Sequence, residues 1–168
     1  MGSQITKNRY NEFMLLEEKI ITQLIAQHKT IATAESCTGG LISSRLTDVS
    51  GSSKAFLSGI IAYSDNSKKT FLQVPAAILQ NNGAVSEPVA TAMAKNVREI
   101  HRADFGVGIT GIAGPTGGTK TKPVGLVYIA VATAQEAVCL KCQFKGTRKQ
   151  IKSQAATQAL KLLKEFLE

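Results

Sequence analysis

Apolar residues recur at helical spacing near both ends of the chain, and short apolar runs lie between these two regions. The first pattern predicts an amphipathic helix over about residues 11–28, and the last predicts a helix over Thr147–Leu167. Turn and N-cap residues mark the starts of further helices between them. These are predicted at about 39–48, from Ser64–Ser67 onwards, from Pro75 to the turn at 81–83, and from Ser86 to about Arg102.

Runs of apolar and often β-branched residues predict five strands. They are Thr30–Ala34, Ala55–Tyr63, Phe105–Ile109, Gly125–Thr133 and Ala137–Phe144. Helices and strands alternate over most of the chain, although the last strands follow one another directly. This order predicts an α/β fold, a three-layer α/β/α sandwich around a mixed, mainly parallel sheet.

The length and composition fit one domain. The chain has 168 residues, of which 43% are hydrophobic, enough for one well-buried core. We expect a polar tail over residues 1–10 and a single domain over 11–168, with no internal repeat and no linker. Because the amino terminus is polar and no apolar run approaches the length that crosses a bilayer, the sequence indicates a cytoplasmic protein without a membrane partner.

The charge balance favours an anionic ligand. Twenty Lys and Arg residues oppose twelve Asp and Glu residues, a net charge of +8, which suits a phosphorylated small molecule, a nucleic acid or an acidic surface. Nucleic acid is the weaker choice, because the chain has no Trp and its basic residues are spread along it.

The three cysteines do not predict a metal site or a disulfide framework. Cys139 and Cys142 lie on a predicted strand, where residues three apart face opposite sides, and only His28 and His101 could complete a zinc site. We therefore expect reduced thiols and no bound metal or other cofactor.

The turn Thr33-Ala34-Glu35-Ser36-Cys37-Thr38-Gly39-Gly40 connects a predicted strand to a predicted helix. A serine at such a turn can act as a nucleophile beside the free N–H groups of the helix. The alternative is that Ser36 or Thr38 simply caps the helix. Cys37 is a rival nucleophile, because a helix N-terminus can lower the pKa of a thiol.

A second segment, Thr110–Thr119, contains four glycines and three threonines between two predicted strands. Such a loop can bring backbone N–H groups close to a ligand. It matches neither the Walker nor the dinucleotide pattern, because it lacks the Gly-Lys-Ser/Thr ending and a following helix. A ligand-binding loop and a mobile connection are the two interpretations.

Several motifs in order give the chain a specific resemblance. They are Thr33–Leu41, Ala62-Tyr63-Ser64 with Lys68 following, Gly83–Ser86, Thr110–Pro115 and Lys122–Gly125. Over about residues 11–166 the chain resembles the CinA C-terminal domain family, whose stand-alone members include nicotinamide-nucleotide amidohydrolases. The resemblance implies the family's fold, assembly as a homo-oligomer, and deamidation of nicotinamide mononucleotide to nicotinic acid mononucleotide and ammonia.

The resemblance also implies roles for individual residues. Ser36 would be the nucleophile and Lys68 its base, with Tyr63 and Thr110 as nearby hydroxyls that relay a proton or fix the lysine. A lysine is a base only when neutral, which burial favours; from sequence alone, a solvated helix lysine is the alternative. N–H groups from Cys37 to Gly40 would hold the oxyanion. The expected substrate contacts are Cys37, Thr38, Gly39, Gly40, Gly111, Gly114 and Arg148.

The alternative function is a nucleotide- or phosphate-binding regulatory module of the same fold without turnover, because a fold does not fix a function.

Overall fold

The computed structural model describes residues 14–168. Within this range the helices are α1 Leu16–Ala26, α2 Leu41–Thr47, α3 Asp65–Leu72, α4 Ala76–Asn82, α5 Glu87–His101 and α6 Arg148–Glu165. The strands are β1 Ile31–Glu35, β2 Phe56–Ile61, β3 Phe105–Gly111, β4 Leu126–Ala132 and β5 Ala137–Gln143, and a short 3-10 helix at Ser52–Lys54 precedes β2.

The predicted helices and strands are confirmed in this range, with most ends displaced by one or two residues. The predicted tail and the first residues of the first predicted helix, 11–13, lie outside the described residues. Helix α3 begins where the sequence indicated, because the Ser64 hydroxyl accepts a hydrogen bond from the Ser67 N–H at 3.0 Å and caps the helix.

The five strands form one mixed sheet in the order β2-β1-β3-β4-β5. Strand β1 is parallel to both β2 and β3, whereas β4 is antiparallel to its two neighbours. Four strands therefore run in one direction and β4 runs in the other. The carboxyl ends of β1, β2 and β3 meet at one edge of the sheet, which is where α/β proteins of this kind place their ligands.

Helices cover both faces of the sheet, which confirms the three-layer sandwich. Side chains of α1, α2 and α6 pack with Ile31 of β1 in one core. Side chains of α3, α4 and α5 pack with Ala32 and Ala34 in the second core. The alternation along β1 follows from the period of two in a strand and buries both of its faces.

No helix within residues 14–168 is both long enough and apolar enough to cross a membrane.

Helix α5 lies directly on β3 because two glycines leave room for its backbone. A Cβ at Gly106 would lie 2.0 Å from the Ala94 carbonyl oxygen, and one at Gly108 would lie 2.3 Å from the Ala90 carbonyl oxygen. Both contacts are with backbone, so a side chain here would push the helix away from the sheet. This close approach holds α5 against β3. Strand β3 leads into the Gly-rich segment within Thr110–Thr119, which is the Gly-rich loop.

Gly106→Ala should lower the free energy of unfolding by about 2 kcal/mol, because the added methyl group overpacks the contact between α5 and β3. Urea unfolding of the purified protein measures the change. Ser53→Ala, a substitution of an exposed residue, is the control and should shift the urea midpoint of unfolding little. An unchanged midpoint for Gly106→Ala would show that α5 can move from β3 without cost.

Candidate active site

The strand-to-helix turn after β1 has two residues in the left-handed region. Gly39 has φ of 63° and Gly40 has φ of 93°, so the chain reverses sharply before α2. Gly40 occupies the N-cap position of α2, and no side chain at that position caps the helix. The interpretation of Ser36 or Thr38 as the N-cap is therefore wrong: the Thr38 hydroxyl has no hydrogen-bond partner among residues 14–168, and the Ser36 hydroxyl contacts Lys68 instead of the helix.

The buried carboxylate of Glu35 caps α2 instead. Its Oε2 accepts hydrogen bonds from the N–H groups of Gly40 at 3.0 Å and Ile42 at 3.1 Å. Its Oε1 accepts from the Ser43 N–H at 2.8 Å and the Ser43 hydroxyl at 2.7 Å. This role of Glu35 was not predicted from the sequence. The signal was an acidic residue at the end of an apolar strand, since a buried carboxylate requires several donors.

Glu35 changes which N–H groups of the turn are free. The Gly40 N–H donates to Glu35, and the Gly39 N–H donates to the Ser36 carbonyl at 3.1 Å. Within residues 14–168, the N–H groups of Cys37 and Thr38 have no backbone acceptor. Of the four N–H groups that were expected to hold an oxyanion, two are thus occupied and two have no backbone acceptor in this range.

Lys68 extends from α3 into the interior of the protein, where its residue is 1% exposed. Its Nζ lies 3.2 Å from Ser36 Oγ and donates to the carbonyl oxygens of Ala62 at 3.1 Å and Tyr63 at 3.5 Å. The alternative of a solvated helix lysine is wrong for this residue. Two segments that are 32 residues apart in sequence thus bring a hydroxyl and an amine into contact.

The surroundings of Lys68 favour the neutral amine. Burial is the largest influence and lowers the pKa of Lys68 below the usual 10.5, while the charge of Asp65 and the Cys37 thiol partly oppose this effect. A neutral amine has a lone pair that can accept the proton of the Ser36 hydroxyl across the same 3.2 Å contact.

The Cys37 thiol lies beside Ser36 and is 6% exposed. Burial, with a smaller contribution from the Glu35 carboxylate, raises the pKa of Cys37 to about 12. The alternative that a helix N-terminus lowers this pKa is not borne out, because loss of solvent outweighs the backbone hydrogen bond that lowers the pKa, and the Glu35 carboxylate occupies the helix end. The thiol is protonated at neutral pH and is a poor nucleophile.

The hydroxyls of Tyr63 and Thr110 do not contact the lysine. The Thr110 residue is 1% exposed, and its hydroxyl donates to the Ala84 carbonyl at 2.9 Å. Tyr63 holds Lys68 through its backbone carbonyl, whereas its phenol is directed elsewhere and its residue is 60% exposed. The structure thus places both residues near the Ser36–Lys68 pair without a direct hydroxyl relay between them.

Arg148, the first residue of α6, joins two walls of the site. One guanidinium nitrogen donates to the Gly114 carbonyl at 2.7 Å, and the other donates to the Tyr63 phenol oxygen at 2.7 Å. The helix start is fixed independently, because Thr147 and Gln150 form a capping box there. A cation therefore stands between the Gly-rich loop and the segment that leads into α3.

These segments enclose an open cavity of about 250 Å³. The predicted site residues that line it are Ser36, Cys37, Tyr63, Lys68, Thr110, Gly111, Gly114 and Arg148. Thr38, Gly39 and Gly40 do not line it: Thr38 is buried, whereas Gly39 is exposed on the surface beside Lys152 and Gly40 begins α2. Gly111 is the last residue of β3 and Gly114 lies in the Gly-rich loop that follows, so the end of this strand and the loop form one wall of the cavity.

A larger cavity of about 570 Å³ lies at the other end of β3, where Phe105 begins the strand. Charged residues such as Lys29, Arg98 and Asp104 line it, but it contains no serine, threonine or cysteine beside a buried base. The chemistry of the Ser36–Lys68 contact, rather than cavity size, therefore identifies the candidate site.

Metal-ligating side chains do not cluster in residues 14–168: no group of three or more His, Cys, Asp or Glu residues there could hold an ion. Cys139 packs beside Ala90 and Ala94, whereas Cys142 packs against the core on the other face of the sheet. The prediction that the two cysteines face opposite sides of their strand is confirmed.

The fold and the site together define a class of protein. It is a three-layer α/β protein in which a serine hydroxyl meets a buried lysine at the carboxyl ends of parallel strands.

Comparison with known proteins identifies the family. The family model described as the CinA C-terminal domain matches residues 14–167. A CinA-like protein of Koribacter versatilis is 47% identical over 152 residues, which cover 90% of this chain and 37% of that protein. The chain belongs to the CinA C-terminal domain family and spans little more than a third of the length of such curated relatives.

Solved structures agree with this assignment. The competence/damage inducible protein CihA of Agrobacterium tumefaciens has a TM-score of 0.89 and 36% identity, covering 91% of this chain and 94% of that chain. A CinA superfamily protein of Klebsiella pneumoniae 700603 has a TM-score of 0.87 and 32% identity, covering 90% and 95%. Both are similar along nearly their whole described length.

Glu35→Ala should destabilise the protein by about 3 kcal/mol, because it leaves the buried N–H groups at the start of α2 without their acceptor. Ser43→Ala is the matched control, since it removes only one of the four donors and should cost about 1 kcal/mol. Urea unfolding measures both. Equal values for the two variants would contradict the assignment of Glu35 as the cap of α2.

Proposed function

We propose that the chain is an amidohydrolase that deamidates nicotinamide mononucleotide through an acyl-enzyme on Ser36. The observation that carries the proposal is the contact of 3.2 Å between the buried Lys68 Nζ and Ser36 Oγ. A serine hydroxyl is a weak nucleophile until a base removes its proton, and a buried amine with a lowered pKa can be that base. The family supports the choice of substrate, since its stand-alone members include nicotinamide-nucleotide amidohydrolases.

In the first half of the proposed reaction, the Lys68 amine takes the proton of the Ser36 hydroxyl, and Oγ attacks the carboxamide carbon. The Cys37 N–H has no backbone acceptor within residues 14–168 and belongs to a residue that lines the cavity, so it is the donor available to the resulting oxyanion. When the tetrahedral intermediate collapses, the C–N bond breaks, the Lys68 ammonium gives its proton to the leaving nitrogen, and ammonia departs.

In the second half, the neutral Lys68 amine takes a proton from water, and the hydroxide attacks the acyl carbon. The bond from this carbon to Ser36 Oγ then breaks, and Lys68 returns the proton to Oγ. The products are nicotinic acid mononucleotide and the original enzyme, so atoms and protons balance. One base serves both halves, as in other serine–lysine hydrolases.

The cavity offers complementary groups for the substrate phosphate. Arg148 lines the cavity and contacts the Gly-rich loop, and it donates to neutral oxygen atoms of Gly114 and Tyr63. A phosphate is a stronger acceptor than either of these groups, and a guanidinium can bind it with two parallel hydrogen bonds. We therefore assign phosphate recognition to Arg148 together with backbone of the Gly-rich loop.

The proposal extends to the organisation of the protein. We propose that residues 11–168 form a single amidohydrolase domain that works in the cytoplasm as a homo-oligomer, in line with the resemblance to the family. The match of the family model to residues 14–167 supports the extent of this domain.

Ser36→Ala and Lys68→Ala should each lower ammonia release from nicotinamide mononucleotide by about three orders of magnitude or more, because the two residues act as a unit. Lys69→Ala is the matched control, since Lys69 is an exposed lysine on the same helix. Cys37→Ser should lower the rate far less than Ser36→Ala. Full activity of Ser36→Ala would refute the mechanism, and nucleotide binding without any ammonia release by the unmutated protein would favour the regulatory module.

The pH dependence of kcat/KM should show an acidic limb governed by Lys68. Because only the neutral amine can accept a proton, the rate should rise as the pH rises through the pKa of Lys68, and burial places this pKa below 10.5. Initial rates of ammonia release across a pH series measure the limb. A rate that falls over the pH range where an amine loses its proton would contradict Lys68 as the general base.

A further inference from the structure

Among residues 14–168, Asp65 supplies the carboxylate in the lining of the cavity beside Ser36 and Lys68. The charged side chains that line the cavity are Asp65, Lys68 and Arg148, and the residue of Asp65 is exposed. Within residues 14–168, Asp65 forms no salt bridge, whereas Arg148 is hydrogen-bonded to two neutral oxygens. The lining of the cavity therefore contains a negative charge that forms no salt bridge in this range and a cation that is held by neutral oxygens.

The position of Asp65 follows from the helix that carries Lys68. Asp65 is the first residue of α3, three residues before Lys68, so both side chains lie on the same face of the helix. The two residues are separated by about 4.5 Å along the helix axis. A negative charge in the first turn also suits the helix dipole, but that role alone does not require the side chain to line the cavity.

The proposed substrate carries a positive charge near its reacting group. In nicotinamide mononucleotide the pyridinium nitrogen is two ring bonds from the carbon that bears the carboxamide. A carboxamide at Ser36 therefore brings a cationic ring close to Lys68, in a cavity that is also lined by the guanidinium of Arg148. Without a counter-charge, a partly desolvated cation in this position would be repelled by Arg148 and by any protonated Lys68.

We propose that Asp65 is a specificity-determining residue whose carboxylate recognises the positively charged pyridinium ring of the substrate, an inference that rests on the proposed function. With Arg148 on the phosphate, the cavity matches a zwitterion: the ring cation lies at the Asp65 side and the phosphate lies at the Arg148 side. The substrate class is then an N-ribosyl pyridinium carboxamide with a phosphate, rather than carboxamides in general.

The electrostatics of the neighbouring lysine support this placement. Asp65 is the largest influence that opposes burial and raises the pKa of Lys68. Its negative charge is therefore felt at the reacting end of the cavity. A substrate cation in the same place would be attracted by Asp65 through the same field.

Binding to a non-reacting variant tests the inference. Ser36→Ala serves as the background, and calorimetry measures the Kd of nicotinamide mononucleotide and of its reduced form, in which the dihydropyridine ring is uncharged. Adding Asp65→Asn, which keeps the size of the side chain, should weaken binding of the charged form about fivefold and of the reduced form less than about twofold. Adding Asp48→Asn, which removes an exposed carboxylate outside the cavity, is the matched control and should leave both Kd values unchanged.

Three results would overturn the inference. They are equal weakening of the binding of both nucleotides by Asp65→Asn, no weakening of the binding of either, or no binding of either nucleotide to the Ser36→Ala protein. Ammonia release by the unmutated protein separates this question from the proposed function. Ammonia release together with equal effects on both nucleotides refutes only the role of Asp65. Charge-selective binding without ammonia release refutes only the hydrolysis.

Discussion

The burial of the Lys68 amine is the interaction on which the rest of the site depends. A primary amine with almost no access to water needs partners for its N–H groups, and the carbonyl oxygens of Ala62 and Tyr63 supply two of them. Both belong to the segment that leaves β2, so the backbone fixes the direction of the side chain. The third contact of the Lys68 nitrogen is with Ser36 Oγ. Loss of solvent thus provides both the orientation and the lowered pKa of the lysine.

A second buried ionisable group, Glu35, lies at the same edge of the sheet and needs hydrogen-bond donors, as Lys68 needs acceptors. The helix N-terminus beside Ser36 would ordinarily attract an anion, but the Glu35 carboxylate already occupies that end of α2. Its oxygens accept the hydrogen bonds of the N–H groups at the start of α2. Within residues 14–168, the N–H groups of Cys37 and Thr38 have no backbone acceptor. The two functions of the turn, holding the helix and facing the cavity, are therefore carried by different residues.

The hydrophobic pattern predicted the helices, the strands and the three layers, because burial of alternate positions in strands and of one face in helices determines them. The Ser36–Lys68 contact was expected only from the resemblance, since periodicity cannot show that two polar side chains 32 residues apart will meet. The cap by Glu35 and the high pKa of Cys37 were not predicted. The cap depends on the number of hydrogen-bond donors around Glu35, and the pKa of Cys37 depends on the loss of water around its thiol. The tertiary structure determines both.

On the proposed function, Arg148 connects the recognition of the substrate to the architecture of the cavity. Its guanidinium joins the Gly114 carbonyl of the Gly-rich loop to the Tyr63 phenol, and the Tyr63 carbonyl in turn receives the Lys68 amine. A phosphate that replaced these neutral acceptors would release the loop and the phenol together, because one planar group holds both. On the proposed function, phosphate binding and the position of the Gly-rich wall are therefore not independent. A ligand without a phosphate would leave Arg148 on its internal partners and the wall where it now lies.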